Sequence, residues 1–366
     1  MGFASFLGNS GAVNAVRDLL ASGRVPGALL FSGPDGVGKK TLAFMLAKAL
    51  NCERREPAGN DFCGECARCR KVEGMFAAAR DDLTRRREIK DAQRRVDGLV
   101  YFDVQLIEPI TRYILMEQVR EVRNVAYARP FELPRRIIIF DQAQAIHWQA
   151  ADLLLKMLEE PPDTTTFVLV CPNPHELRPT IRSRCLRVQF VPVEESVVSD
   201  LLERERQVPK AKRLLATRAT AGSVSRARAF SLADFERRRQ PWLDFLGSAL
   251  GRGPRSEVAP DWKALFESTR ALTEDREGLN ETLRIGYTLL RDLLLILEGG
   301  RESELVNVDL VDRLNSWASE LGLAGVETMK AGLDQAYRLQ TRNVSQQLGL
   351  DALAVDLVAA LGREEV

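Results

Sequence analysis

Residues 136–189 read RIIIFDQAQAIHWQAADLLLKMLEEPPDTTTFVLVCPNPHELRPTIRSRCLRVQ, and this stretch decides the fold. A short β-branched run, Ile137 to Phe140, ends in Asp141, which is typical of a buried parallel strand that delivers an acid to the carboxyl edge of a sheet. A leucine-rich segment with helical spacing follows and stops at two prolines. A second apolar strand, Phe167 to Val170, leads to a short predicted helix that carries Ser183–Cys185. The alternation of strand and helix predicts an α/β domain with a parallel sheet.

A glycine-rich loop near the N-terminus predicts a phosphate cradle in the same domain. Residues 33–41 read GPDGVGKKT and lie between an apolar strand, Ala28 to Phe31, and a helical segment. In this arrangement backbone N–H groups and a lysine face a phosphate. Four residues fit the pattern: Gly33, Gly36, Gly38 and Lys39.

The residue after this lysine departs from the pattern. A P-loop places Ser or Thr there so that a hydroxyl can bind Mg²⁺. Here the position holds Lys40, and Thr41 stands one residue later, about 100° further around the helix. Two interpretations stay open from the sequence: a nucleotide site, or a P-loop retained for its shape.

Two segments, LLLKMLEEPP at 153–162 and SRC at 183–185, resemble the clamp-loader branch of the AAA+ ATPases. The resemblance implies a fold that is α/β plus all-α. It comprises an AAA+ P-loop core with a parallel sheet and flanking helices, an inserted zinc module, a small helical lid and a C-terminal helical collar. The expected ranges are 1–190 for the core, 191–234 for the lid and 235–366 for the collar, which would serve oligomerisation.

The resemblance also shows where this chain differs from an active ATPase. An active site would follow the metal-associated Asp141 with a glutamate that polarises water, but the chain has Gln142, and a neutral amide cannot act as a carboxylate base. Residues 221–227, AGSVSRA, resemble the sensor-2 helix, with Ser225 in the place of the family's arginine. We therefore predict a degenerate nucleotide site that does not hydrolyse ATP, which argues against ATP with Mg²⁺ as a cofactor. Its residues are Gly33, Gly36, Gly38, Lys39, Lys40, Thr41 and Asp141.

Arg184, in the SRC segment, is expected to act elsewhere. In clamp loaders this arginine projects across a subunit interface and stabilises charge on the γ-phosphate bound by the neighbour, as an arginine finger supplied in trans. The resemblance thus implies that Arg184 is this chain's catalytic residue, acting on an adjacent ATPase subunit. The alternative is a surface arginine that pairs with a nearby acid.

Four of the six cysteines form the pattern C-x10-C-x2-C-x2-C: Cys52, Cys63, Cys66 and Cys69. Thiolates at this spacing can surround a tetrahedral Zn²⁺, and in a reducing cytosol disulfides explain the pattern less well. Four protein ligands leave no open coordination position, so we expect a structural zinc ion; an iron–sulfur cluster is the alternative. The resemblance places a zinc module at this point, over residues 52–69.

A highly charged segment, residues 75–97, follows the cysteines. It predicts a helical insertion with a solvated face, and a DNA-contacting basic face is the alternative. A strand is expected to resume at Phe102 to Ile107.

The composition limits the class of function. The chain has 366 residues, with 52 Lys and Arg against 51 Asp and Glu, and this balance argues against a free-standing DNA-binding protein. The first residues lack the pattern of a signal peptide, and no apolar run approaches the roughly 20 residues of a membrane helix. We therefore expect a cytoplasmic protein.

Together with the resemblance, these features predict a delta-prime-like stator subunit of a bacterial replicative clamp loader. It would form a five-subunit ring with gamma/tau and delta subunits and help to load the sliding clamp onto primed DNA. As part of the DNA polymerase III holoenzyme, it would perform no catalysis alone. The alternative is an ATP-hydrolysing gamma/tau-type subunit, against which Lys40, Gln142 and Ser225 argue.

Overall fold

The computed structural model describes residues 2–55, 61–89, 102–250, 261–276, 278–339 and 345–362. The chain divides into two compact units. The first comprises Met1–Val197 with Gly222–Arg226, and the second comprises Val198–Ala221 with Ala227–Val366. This division does not test the expected lid and collar ranges, which stay predictions.

A five-stranded parallel sheet forms the centre of the first unit, in the order β2-β3-β4-β1-β5. The strands are β1 Ala28–Ser32, β2 Val104–Ile107, β3 Arg136–Phe140, β4 Thr165–Cys171 and β5 Leu186–Gln189. The first four are buried along their whole length, as expected for parallel strands covered on both faces. The sequence predicts these four to within two residues, but it does not predict β5, in which only Val188 is buried.

Helices cover both faces of this sheet. They are α1 Ser10–Ser22, α2 Lys39–Asn51, α3 Ala67–Glu88, α4 Met116–Ala126, α5 Trp148–Glu159 and α6 Pro179–Arg182. Side chains from α1, α2 and α3 share one buried cluster with alternate residues of the strands. Side chains from α4, α5 and α6 share the other cluster with the intervening strand residues. The polar loops at the carboxyl edge of the sheet are thus held between two packed layers.

The helix predicted within the charged segment 75–97 begins earlier in the sequence, because α3 starts at Ala67 among the cysteines and continues to Glu88. The Cys66 sulfur caps this helix by accepting the N–H of Cys69. Residues 90–97 of the predicted insertion lie outside the described residues. One sequence prediction in this unit needs correction. The short helix expected to carry the SRC segment ends at Arg182, so the segment follows it.

The second unit is helical in its described residues. Helices α7 Glu195–Arg206 and α9 Val224–Ala229 each begin in the first unit and end in the second. The other helices of the second unit are α8 Lys210–Ala219, α10 Leu232–Leu250, α11 Trp262–Thr273, α12 Leu279–Leu297, α13 Val311–Leu339 and α14 Gln346–Leu361. Helix α13 bends at Gly322, whose φ is 56° and ψ −173°. The expected α/β plus all-α fold is confirmed. Within the described ranges, no helix combines the length and apolar character needed to cross a membrane.

Candidate functional site

A cleft of about 500 Å³ opens beside the glycine-rich loop and the end of β3. Its lining residues are Asp35, Gly36, Gly38, Lys39, Lys40, Thr41, Asp141, Gln142, Gln144, Val170 and Ser225. The fold therefore brings together every residue of the predicted nucleotide set except Gly33, which does not line the cleft. The chemistry of the cleft depends on what these side chains already bind.

Close packing on the chain itself accounts for two loop glycines. Gly33 has φ of 146°, and a Cβ there would lie 2.3 Å from the carbonyl oxygen of Phe190. Gly36 has φ of 77°, and a Cβ there would lie 2.1 Å from the Ser223 hydroxyl. A side chain at either position would strain the backbone and clash with its neighbour. The glycines of this loop are thus required by the fold, whether or not a phosphate binds.

Lys39, the lysine of the P-loop pattern, points back onto its own loop. Its Nζ donates to the carbonyl oxygens of Gly33 at 2.5 Å and Pro34 at 2.6 Å, and it lies 3.5 Å from the Asp35 carboxylate. The side chain is buried, and this burial lowers the pKa of Lys39, although Asp35 partly opposes the shift. In this arrangement, the N–H donors of the Lys39 ammonium, which would bind a phosphate in a nucleotide site, are bound to backbone carbonyl oxygens.

Lys40 lies between two carboxylates at the ends of neighbouring strands. Its Nζ is 2.9 Å from Asp141 Oδ2, just after β3, and 2.8 Å from Glu108 Oε1, just after β2. Burial alone would lower the pKa of Lys40, but the charge of Asp141 and hydrogen bonds to both acids outweigh it and raise the pKa. The ammonium is therefore charged at neutral pH.

Glu108 also binds a second cation. Its Oε2 is 2.7 Å from Nη2 of Arg87, near the end of α3. Burial would raise the pKa of Glu108, but the hydrogen bond and charge of Lys40, with those of Arg87, hold it below the usual value. The charged insertion thus contributes a side chain to the network around the cleft.

Sequence reasoning missed both Glu108 and Arg87. A signal for Glu108 was present, because an acid that directly follows a buried parallel strand lies at the same sheet edge as Asp141. Arg87 gave no such signal, since it is one of many charged residues in its helix and its partner is distant in sequence.

Gln142 and Ser225, which depart from the family's pattern, both bind neighbouring residues of the cleft through their backbone N–H groups. Gln142 has a left-handed backbone, φ 55°, and its N–H donates to Asp141 Oδ1 at 3.0 Å. The N–H of Ser225 donates to the carbonyl oxygen of Gly36 at 3.0 Å. Ser225, at the position of the family's arginine, therefore binds the loop through its backbone N–H.

Arg184 lies on the surface of the first unit. Its guanidinium pairs with Glu159 at 2.6 Å and donates to the carbonyl oxygen of Thr180 at 2.9 Å. The side chain is 35% exposed. Among the described residues that line the P-loop cleft, Arg184 does not appear. In this chain the arginine is thus accessible and paired with an acid, away from its own cleft.

The four clustered cysteines converge as metal ligands would. Their sulfur atoms all lie within 4.8 Å of one another, with Cys52 Sγ at 3.6 Å from Cys63 Sγ and at 4.0 Å from Cys66 Sγ. Four thiolates around a zinc ion at about 2.3 Å stand roughly 3.8 Å apart. These distances are compatible with a shared tetrahedral ion, so the cluster could hold a metal.

Backbone N–H groups support this sulfur cluster. The N–H of Cys63 donates to Cys52 Sγ at 3.4 Å, that of Cys66 to Cys63 Sγ at 3.3 Å, and that of Cys69 to Cys66 Sγ at 3.4 Å. Burial would raise the pKa of Cys66, but N–H donors of Glu53 and Cys69 lower it to about 6. The local backbone thus favours the thiolate, the form that binds metal, at Cys66, whereas burial raises the pKa of Cys52 and Cys69.

The cysteine module packs directly on the core. Cys66 and Cys69 are buried and belong to the same apolar cluster as α1 and α2. Phe62 packs edge-on against Phe3 with ring centroids 5.4 Å apart, and Lys48 lies over Phe62 at 5.8 Å. The ligand positions are therefore held by the core as well as by their own loop.

Curated proteins similar to this chain include the tau subunit of DNA polymerase III from Escherichia coli (strain K12). It is 32% identical over 240 residues, which cover 63% of this chain and 32% of that protein. The gamma subunit from Buchnera aphidicola is 29% identical over 201 residues, covering 55% of this chain and 48% of that protein. This chain thus spans less than half of each relative's length.

Two solved structures from Thermotoga maritima are also similar. A DNA polymerase III gamma-subunit-related protein has a TM-score of 0.44 and 14% identity, covering 95% of this chain and 99% of that chain. The RuvB Holliday junction branch migration motor has a TM-score of 0.39 and 14% identity, covering 80% of this chain and 77% of that chain.

The family match covers most of the unit that contains both candidate sites. The family described as "DNA polymerase III, delta subunit" matches residues 8–194, which include the P-loop, the four cysteines, Asp141 and Arg184. The chain therefore belongs to this family of bacterial DNA polymerase III clamp-loader proteins.

Proposed function

We propose that this chain is a delta-prime-like stator subunit of a bacterial replicative clamp loader. In this role it joins gamma/tau and delta subunits in a five-membered ring and helps to load the sliding clamp onto primed DNA. It does not hydrolyse ATP itself. Arg184 acts on the nucleotide of a neighbouring subunit.

The observation that carries this proposal is the contrast between Arg184 and the chain's own cleft. Arg184 is exposed and separate from the lining of the cleft, so its guanidinium is available to a second chain. Its present partner, Glu159, is itself 46% exposed, and an exposed pair of this kind contributes only about 0–1 kcal/mol. A phosphate from a neighbour would therefore compete easily for the guanidinium.

The P-loop cleft supports the absence of hydrolysis in this chain. Lys39 is bound by loop carbonyls, and Gln142 replaces the acid that would polarise water. A subunit with these features would serve assembly and a neighbour's catalysis.

We further propose that the four cysteines bind one structural zinc ion. The fit of their sulfur atoms to a tetrahedron supports a metal, and the donor set of four thiolates favours zinc. An iron–sulfur cluster uses the same donors, and elemental analysis together with a visible absorption spectrum distinguishes the two.

The test of the assembly role is Arg184→Ala in a complex reconstituted with gamma/tau and delta subunits from the same source. The matched control is Arg178→Ala, because Arg178 is also exposed and pairs with a single acid, Asp152, at 2.7 Å. Assembly is checked by size-exclusion chromatography, and then steady-state ATPase and clamp loading on primed DNA are measured.

We expect Arg184→Ala to assemble normally, to reduce bulk ATPase partially and to reduce clamp loading more strongly. An arginine finger in trans contributes about 10³–10⁵ in rate at one site, while the remaining sites of the ring keep their own arginines. Arg178→Ala should leave both rates unchanged. If the Arg184→Ala ring assembles and both of its rates equal those of the control, Arg184 is an ordinary surface arginine and the trans role is wrong.

A second candidate is the ATP-hydrolysing gamma/tau-type subunit, which the names of the curated relatives favour. The two candidates differ in the isolated chain, because only a gamma/tau-type subunit would show turnover that depends on Lys39.

A further inference from the structure

The position of the Lys40 ammonium has a consequence for metal binding. In a P-loop site, Mg²⁺ is held by the hydroxyl of the residue after the P-loop lysine, by one or two carboxylates and by phosphate oxygens. Here Lys40 stands in place of the residue with the hydroxyl, and its ammonium binds the carboxylates of Glu108 and Asp141, which follow β2 and β3. The cation and its carboxylate partners thus come from one chain.

All four oxygens of these two carboxylates already accept a donor. Glu108 Oε1 and Asp141 Oδ2 bind Lys40. The other oxygen of Glu108 binds Arg87, and the other oxygen of Asp141 binds the N–H of Gln142. A magnesium ion at this place would have to displace the ammonium and would then lie beside a like charge. The residues present therefore do not fit a divalent metal ion.

We propose that the Lys40 ammonium is the resident cation of this cleft and excludes a divalent metal ion from Glu108 and Asp141. Lys40 is thus a specificity-determining residue that closes the cleft to metal-bound triphosphates. An ammonium offers donors but no acceptor or open coordination position, so it cannot take over a metal's bridge between carboxylate and phosphate. This inference rests on the geometry of the cleft and does not depend on the role in the clamp loader.

The network also explains why the cation is fixed in place. Lys40 extends from the first turn of α2, and its partners follow two adjacent strands, so three elements converge on one ammonium. Arg87 holds the far side of Glu108 from α3. Opposite charges within hydrogen-bond distance keep Lys40 protonated, and its raised pKa agrees with this geometry.

The test is Mn²⁺ binding by electron paramagnetic resonance, with the full chain first loaded with one equivalent of zinc to fill the cysteines. The wild-type chain should bind no Mn²⁺ at the cleft. Lys40→Ser supplies a hydroxyl and removes the charge, so it should bind one Mn²⁺ at least about tenfold more tightly than the wild type. The added Asp141→Asn change should abolish this gain.

Two further variants make the result specific. Lys40→Arg keeps a positive charge and should still exclude Mn²⁺, while Lys40→Met removes the charge without supplying an oxygen and should bind more weakly than Lys40→Ser. Circular dichroism checks that each variant is folded. Wild-type Mn²⁺ binding that Asp141→Asn abolishes would overturn the proposal, and this measurement does not require any Lys40 variant to fold. A folded Lys40→Ser chain without a new Mn²⁺ site would overturn it as well.

Discussion

The cysteine module and the P-loop cleft lie in the same unit and both match ligand-binding sequence patterns, but their donors are in different states. At the cysteine module, four sulfur atoms converge within 4.8 Å of one another. At the cleft, Lys39 is bound by loop carbonyls, and Lys40 is bound by two carboxylates. The sulfur atoms of one region could share a metal ion, whereas the other region already contains its own cation.

This difference shows what a motif can and cannot predict. Four sulfur atoms held this close together can share one metal ion, which would neutralise their charge as thiolates, so this geometry is compatible with a ligand. A glycine-rich loop need not hold a ligand, because its lysines can be satisfied by nearby carbonyls and carboxylates. The ligand of a motif therefore depends on which of its polar groups the fold leaves without a partner.

The largest expected effect is the loss of metal from the cysteine module. We expect one zinc ion per chain as purified, and Cys66→Ser should lower this to near zero. Zinc that binds only the folded chain raises the free energy of unfolding. At a free zinc concentration near 1,000 times Kd this contribution is about 4 kcal/mol, and the variant should lose it. Elemental analysis and thermal unfolding measure the two effects.

Cys185→Ser is the matched control for this change. Cys185 is a free thiol outside the cluster, so its substitution should leave the zinc content at one per chain. Elemental analysis that finds no metal in the wild-type chain would contradict the zinc site. Iron together with a visible charge-transfer band would replace zinc by an iron–sulfur cluster.

Much of the first unit can be predicted from the sequence because its signals are local. The run Ile137 to Phe140 followed by Asp141 indicates a buried strand and the edge at which it ends, and the structure places β3 there. The cysteine spacing likewise indicates a shared ligand, since residues so close in sequence can reach one centre. In both cases the residues that support the prediction lie within one short segment of the sequence.

The remaining features depend on residues that are distant in sequence. The sequence shows that Lys40 departs from the P-loop pattern. Its partners, Glu108 and Asp141, are 68 and 101 positions away and are known only once β2 and β3 are paired. Arg87 is hidden among other charged residues of α3, and β5 has one buried residue. The long-range ion pairs and the exposed edge strand β5 thus required the structure.

A smaller effect should separate the ion-pair network of the cleft from the cysteine module. Glu108→Gln removes the charge that Lys40 and Arg87 share. Both cations are more than 40% exposed, so solvent screens the pairs, and the loss of stability at pH 7 should be only about 1 kcal/mol. Zinc content should not change.

The pH dependence of this contribution has a defined direction. The pKa of Glu108 in the folded chain lies below its ordinary value of 4.5, so its stabilisation is present above that pH and is lost as pH falls through the folded pKa. The pKa of Lys40 is raised above 10.5, so its contribution is complete below that pH and is lost as pH rises through the folded value. Urea unfolding between pH 3 and 7 should therefore show a shallower acid loss for Glu108→Gln than for the wild type. Parallel curves would mean that the network contributes no measurable stability.

The smallest expected effect is on ATP turnover by the isolated chain. The wild type should hydrolyse ATP no faster than a buffer control, and Lys39→Ala should leave that rate unchanged. Hydrolysis needs a base or oriented water beside the γ-phosphate and a metal to neutralise charge, and here Gln142 replaces the acid and Lys40 binds the carboxylates.

The steady-state assay uses zinc-loaded chain with Mg²⁺, with and without primed DNA, and a gamma/tau subunit serves as the positive control for the conditions. Lys39→Ala also removes the hydrogen bonds from Lys39 to Gly33 and Pro34, which could destabilise the fold. Circular dichroism therefore checks that this variant is folded before its turnover is interpreted. Nucleotide binding without turnover agrees with the prediction, since loop N–H groups alone can contact a phosphate. Turnover at the rate of the positive control, abolished by Lys39→Ala, would show instead that Lys40 releases its carboxylates when nucleotide binds, and the gamma/tau-type function would replace the stator role.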